Sequence, residues 1–334
     1  MMQVMLYISK ETQNVGEIRS QLASFQDRFP HELHVIDIDQ DEVLKETYAP
    51  KSPVLDVGVY RLEKSFNLED IERAFAKAEG KLIEAREKGN DVLVRRMTEP
   101  LQMTKSDRFS HWFSKHYMVL LNLFAFFYVF MAIFAPMLMK IGWEWPAKAI
   151  YTVYRPLCHQ LAFRSFFLFG EQPFYPRELA DVEGYVTYGE ATGFDEHDLI
   201  AARQFLGNET LGYKMALCER DIAIYGAILL FGLIFSLTGN KIKPLPWYLW
   251  LLIGLGPIGL DGFSQLLSQT GLGIFDWLPL RESTPFLRTL TGGLFGLATA
   301  WFGFPYLEES VLDNRREMQL KHSITEQIQK QQGK

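Results

Sequence analysis

The sequence contains two cysteines, Cys158 and Cys218, and each has a second metal-binding side chain close by. His159 follows the first directly, and Asp221 follows the second at a spacing of three, which puts both on one face if the segment is helical. Two thiolates, an imidazole and a carboxylate are a plausible ligand set for zinc. Adjacent residues diverge on a regular helix, so Cys158 and His159 can ligate together only from a loop or a helix end. Taken singly, Asp221 reads as an acid stabilised by a helix N-terminus and His159 as a hydrogen-bonded packing residue. A Cys158–Cys218 disulfide is the other use of the two thiols, closing a long loop.

A second set of groups surrounds these. Arg164, Arg220, Arg281 and Arg288 carry guanidinium forks suited to phosphate or carboxylate, and Glu219, Asp221, Asp261 and Glu282 provide four acids against those four arginines. The set can therefore neutralise itself as a salt-bridge network. Asp261 and Gln265 share a helical face, and a buried, unpaired Asp261 carboxylate would suit a general base. Asp261, Arg220 and Arg288 are thus the candidates for catalysis, with Arg164, Gln265, Arg281 and Glu282 as ligand contacts.

Apolar segments must hold these groups. The chain has 334 residues, 48% hydrophobic and 22% charged, but the charge is concentrated in 1–116 and 306–334. Between them, Tyr117 to Met139, Asp221 to Leu237, Trp247 to Leu267 and Pro285 to Tyr306 are each about long enough to cross the hydrocarbon core as a helix. Four spans are expected, with Ala147 to Phe169 as an amphipathic or re-entrant segment and Gly170 to Tyr213 as a polar loop. Ionisable groups at membrane depth cost about 2.5 to 3.5 kcal/mol each at a helix centre, so they are expected to face one another.

Basic clusters precede span one, join spans two and three at Lys241 and Lys243, and follow span four at Arg315 and Arg316. The excess of cytoplasmic Lys and Arg then places both termini in the cytoplasm of a multi-pass cell-membrane protein. The 140–220 segment, the 268–284 loop and the Cys and Arg groups lie outside. Val4 to Ile8 is only strand-length, so no cleavable secretory signal is expected. A net charge of −6 argues against nucleic acid as a partner. The tail from Leu307 reads as a solvated, polar cytoplasmic helix, its apolar residues scattered.

The N-terminal stretch has a different pattern. Met5 to Ile8 and Leu33 to Ile38 read as strands, Val15 to Phe25, 41–47 and Leu68 to Ala85 as helices, and Pro53 to Leu62 as a hairpin. This gives the order β-α-β-α-β-β-α. With the Leu6-Tyr7 strand and Ser52-Pro53-Val54-Leu55, it resembles the glutaredoxin-like branch of the thioredoxin superfamily. The resemblance implies a cis Pro53, and it sets Thr12 and Val15 where the family has its C-x-x-C cysteines, so no dithiol chemistry is available there.

The expected organisation is a thioredoxin-like domain without redox cysteines at 1–88, a basic linker at 89–116, a helical membrane domain at 117–306 and a polar tail at 307–334. As a fold class, this is an α+β soluble domain followed by an all-α polytopic membrane domain.

The membrane domain also resembles a known family. Cys158-His159-Gln160 with Arg164-Ser165-Phe166, Cys218-x-Arg220, Tyr225-Gly226, Asp261-Gly262 with Gln265, and Arg281-Glu282-Ser283 with Arg288 and Thr291-Gly292 resemble the predicted membrane protein family called domain of unknown function 2085, over about 150–306. That pattern implies a Cys-x-Arg-Cys motif in which Asp221 stands for the last cysteine, consistent with a metal ligand. The resemblance implies no reaction.

The leading functional expectation is an outer-face, zinc-like metal site. The others are an accessory subunit of a membrane complex whose inert N-terminal domain docks a protein partner, an enzyme acting on a lipid or quinone-like substrate, and a thiol redox protein. The last is weakened because the cysteine-free domain would lie across the bilayer from Cys158 and Cys218. No nucleotide loop, dinucleotide fingerprint, serine nucleophile elbow or haem attachment sequence is present.

Overall fold

Apolar residues at Val4 and Leu6 on one face of an extended segment form the centre of a sheet, and both are fully buried. The computed structural model describes residues 1–270, 277 and 279–333. It divides into two units, Met1–Lys115 with Val311–Lys334, and His116–Ser310.

In the first unit, β1 (Met2–Ile8) pairs in parallel with β2 (His31–Asp37) after a connection through α1 (Val15–Ser24). The helix α2 (Glu42–Tyr48) is capped by Asp41, whose side chain accepts from the Val43 and Leu44 amides. β3 (Val54–Val57) and β4 (Tyr60–Glu63) complete an α/β sheet of order β2-β1-β3-β4, with β3 antiparallel to both neighbours. The Ser52–Pro53 peptide is cis. Helix α3 (Leu68–Glu87) opens with a reciprocal capping box between Asn67 and Asp70 and lays Ile71, Phe75 and Ala78 on the sheet.

The expected basic linker includes α4 (Asp91–Thr98), whose Met97 is fully buried in the same core. The C-terminal residues of this unit also depart from the solvated reading. Ile324 and Ile328 are buried against Tyr7, Ile36, Leu44 and Tyr48, and Leu320 packs on the same cluster. Leu320, Ile324 and Ile328 recur every four residues, a narrow apolar stripe within a polar helix. Beside them, Gln327 accepts from the Asp37 amide at 2.8 Å and donates to its carbonyl at 2.9 Å. Gln331 repeats the pattern on Val35.

The helix α5 (Lys105–Lys140) belongs to the second unit from His116 on and is followed by α6 (Glu144–Tyr154), an amphipathic helix burying Ala147, Tyr151 and Tyr154. The stretch read as a polar loop is folded. It contains α7 (Tyr188–Thr192), α8 (Leu199–Gln204), β6 (Gly207–Asn208) and most of β7 (Gly212–Lys214), and with β5 (Phe167–Leu168), from the segment expected to be amphipathic or re-entrant, the strands form a sheet of order β5-β7-β6. Its core joins Phe163, Phe167, Tyr175, Tyr188 and Leu211. These residues have no regular spacing, so no periodicity announces them.

The apolar helices follow. α9 (Glu219–Leu237) is continuous, whereas α10 (Trp247–Leu249) passes through a π-turn at Trp250–Leu255 into α11 (Gly256–Gln269). Pro257 explains the π-turn, since a proline ring clashes with the carbonyl four residues back in a regular α-helix. α12 runs from Pro285 to Gln331. Among the described residues, three helices are long and apolar enough to cross a membrane: Lys105–Lys140, Glu219–Leu237 and Trp247–Gln269. The fourth expected segment, 285–306, is helical but diluted by Arg288, threonines and glycines. It approaches α9 closely: a Cβ on Gly292 would stand 2.6 Å from the Arg220 carbonyl oxygen, and one on Gly296 would meet the Ile224 backbone. Of the expected 268–284 loop, residues 271–276 and 278 lie outside the described residues.

Candidate metal centre and its arginine wall

Cys158 follows the end of α6, its amide bonded to the Tyr154 carbonyl, and Cys218 is the residue that opens α9. Two buried polar side chains tie these segments together. Gln160, at a positive φ of 53°, donates from Nε2 to the carbonyls of Tyr151 at 2.9 Å and Ala216 at 3.0 Å. Lys214 Nζ donates to the carbonyls of Gln160 at 2.7 Å and Arg203 at 2.8 Å. Both link the Cys158 turn to the strand leading into Cys218. Lys214 is fully buried, and desolvation pushes its pKa down to about 7.

With the segments so joined, the Cys218 amide donates to Cys158 Sγ at 3.3 Å. Both thiols are free. The Sγ atoms of Cys158 and Cys218 and a carboxylate oxygen of Asp221 lie within 4.8 Å of one another. Asp221 is in the first turn of α9, so the positive end of that helix favours negative charge on this group. The contact with Cys218 lowers the Cys158 thiol below the ordinary range, and the same contact, together with burial, raises Cys218. The first proton of the pair therefore leaves more readily than the second. His159 is outside this ligand group but lines the same cavity, of about 320 Å³, with Cys158, Cys218 and Asp221.

Arginines form the rest of the cavity wall. Arg164, Arg220, Arg288 and Gln265 all line it. Behind them the carboxylates are shared. Glu282 binds Arg164 at 2.7 Å, Arg177 at 3.4 Å and Arg288. Arg288 also reaches Glu219 at 3.2 Å. Asp261 accepts from Arg220 at 2.6 Å, Arg281 at 2.9 Å and the Ser283 hydroxyl at 2.7 Å. Gln265 accepts from the Ser283 amide at 3.3 Å, which fixes its orientation. Arg220 Nε, Arg177 Nε and Glu219 Oε1 are buried without a hydrogen-bond partner.

The structure places the expected polar groups in one region, with His159 outside the ligand group and two further differences. The pairing is not four on four: Arg177 joins the network, and Asp221 sits with the cysteines, leaving, among the described residues, five arginines on three carboxylates. Asp261 and Glu282 stand behind the cavity wall, bound to arginines, and Arg281 stands there bound to Asp261. Sequence reasoning missed Arg177 and Lys214. Nothing local marks Arg177, because its partner is 105 residues away. Lys214, a lone lysine between apolar Tyr213 and Met215–Leu217, carried a weak signal.

Residues 208–302 match the family model described as Predicted membrane protein (DUF2085), the family indicated by the motifs. The match includes Cys218, Asp221, Asp261 and Arg288 and starts beyond Cys158 and Arg164. An uncharacterized protein of Methanocaldococcus jannaschii is 27% identical over 206 residues, 59% of this chain and 96% of the relative. No solved structure matches.

Proposed function

We propose that this membrane protein holds a zinc-like ion on Cys158, Cys218 and Asp221, in a site at the outer end of a four-span bundle with both termini in the cytoplasm of the cell. The observation that supports it most is the convergence of two sulfurs and a carboxylate oxygen within 4.8 Å at a helix N-terminus. Tetrahedral zinc takes Zn–S bonds of about 2.3 Å and Zn–O bonds of about 2.0–2.2 Å, so small side-chain movements close this group on an ion. Cys158, Cys218 and Asp221 would hold the ion, and His159, which lines the same cavity, would be a candidate for a fourth ligand.

The first unit is, in this reading, a thioredoxin-like domain without redox cysteines. Its element order, its sheet order and the cis Pro53 support that assignment, and Thr12 stands by the Pro53 loop with its hydroxyl 2.9 Å from Ser52 Oγ. Such a domain has a docking role for a protein partner.

Elemental analysis of the purified full-length protein tests the metal. Near-stoichiometric zinc is expected in the wild type, less than about a tenth of it in Cys218→Ser, and retention in Asp221→Cys, since thiolate replaces carboxylate as ligand. Folded wild-type protein free of metal after growth and purification with added zinc would overturn the reading.

A further inference from the structure

Among the described residues, the guanidinium groups around the cavity outnumber the carboxylates that bind them, five to three. Arg288 is 3% exposed and holds two carboxylates, whereas the side chains of Arg164, Arg220 and Arg281 are 31%, 25% and 34% exposed, so the excess falls on partly solvated groups, two of which line the cavity. A bound anion offsets such an excess.

Arg220 supplies a second, separate pointer. It lines the cavity, and its Nε–H is buried without a partner although its Nη2 is held by Asp261. A buried donor in that state is satisfied by ordered water or by an acceptor that binds there. About 320 Å³ is at the small end of ligand cavities, which run from ~300 to ~1,000 Å³.

We infer that this cavity binds a phosphate-type oxyanion, held by Arg164, Arg220 and Arg288 beside the cysteine site. Guanidinium groups are strong partners of phosphate oxygens, and three of them, on Arg164, Arg220 and Arg288, line this one cavity. The inference deepens the metal reading by naming the ligand class, and rests on it only for the ion next to the oxyanion.

Two sources share this chemistry, free phosphate and a lipid phosphate. A neighbouring groove of about 370 Å³, with Leu161, Leu199 and Ile200 in its wall, shares His159 and Leu161 with the cavity. An oxyanion carrying an apolar chain would place its head among the arginines and its chain along that groove.

The test uses full-length protein in phosphatidylcholine nanodiscs, titrated calorimetrically with inorganic phosphate and with dihexanoyl phosphatidic acid, zinc being measured on the same samples. At least one probe should bind saturably, at least tenfold more weakly to Arg164→Gln and to Arg220→Lys. Lys148→Gln, at an exposed position of α6 that lines neither cavity, should leave binding of both probes unchanged. Similar affinity for both probes identifies a free oxyanion; phosphatidic acid binding tenfold or more tightly than phosphate identifies a lipid. Failure of the wild type to bind either probe overturns the inference, as does binding that both arginine variants leave intact. Zinc without oxyanion binding would sink this inference alone, and oxyanion binding without zinc would sink the metal reading alone.

Discussion

The two units solve the burial problem in opposite ways. The first has an apolar interior of Val4, Leu6, Leu55 and Phe75, and most of its ion pairs, such as Arg28–Glu72, lie at the surface. The second buries Glu219, Glu282 and Arg288 and turns large apolar residues outward: Leu237 is 87% exposed, Leu260 75% and Phe263 66%. Each pattern fits its solvent. In water, exposing leucine is costly, whereas in a bilayer leucine is at home and an unpaired charge is the expense. Burial therefore means something different in each unit: packing in the first, electrostatic confinement in the second.

The largest test of that contrast is the removal of one charge from each unit. Arg288→Met strips Glu219 of its ion pair and Glu282 of one of three, and should destabilise the protein by about 3–5 kcal/mol, the usual cost of breaking a buried pair. Arg28→Met should change stability by about 0–1 kcal/mol. Unfolding in mixed micelles measures both, and equal effects would break the comparison.

Reversing the chemistry gives the next effect. Ile328→Ala in the first unit creates a cavity at a side chain that is 2% exposed, with an expected loss of about 2–5 kcal/mol. Leu260→Ala, at an exposed site on α11, should cost less than about 0.5 kcal/mol in the same assay. A large loss at Leu260 would show that the outward face of the second unit is packed against protein.

The smallest effect concerns pH. Lys214 has its folded pKa depressed to about 7, against an ordinary value near 10.4 in an unfolded chain. Between those values the unfolded chain binds the extra proton, so this residue makes stability rise as pH increases from 7 towards 10, and the gain is lost as pH falls back through that window. Melting temperatures of Lys214→Met should show a flatter slope between pH 7 and pH 10 than the wild type. An unchanged slope would mean that burial at Lys214 is compensated by its carbonyl partners.

These contrasts also explain what could be read without coordinates. The strands and helices of the first unit follow periods of 2 and 3.6, and the ionisable groups of the second were conspicuous because they interrupt apolar runs. Their convergence followed from the cost of leaving them in lipid. The folded segment between α6 and α9 was invisible because an aromatic cluster such as Phe167, Tyr175, Tyr188 and Phe205 has no period. The buried tail was missed because its stripe of Leu320, Ile324 and Ile328 is one residue wide in an otherwise polar helix. His159 was grouped with Cys158 on adjacency, and adjacency does not say where a ring points.

The paired amides of Gln327 and Gln331 have a consequence for how the protein behaves in crowded solution. Strand β2 borders the sheet, and a bare border of that kind recruits extended chains from other molecules. Each glutamine offers an oxygen and an NH₂ group at the spacing of a peptide unit, so the helix imitates the missing neighbour without being a strand. Protein shortened before Leu320 would lose that counterfeit and should self-associate through the freed border.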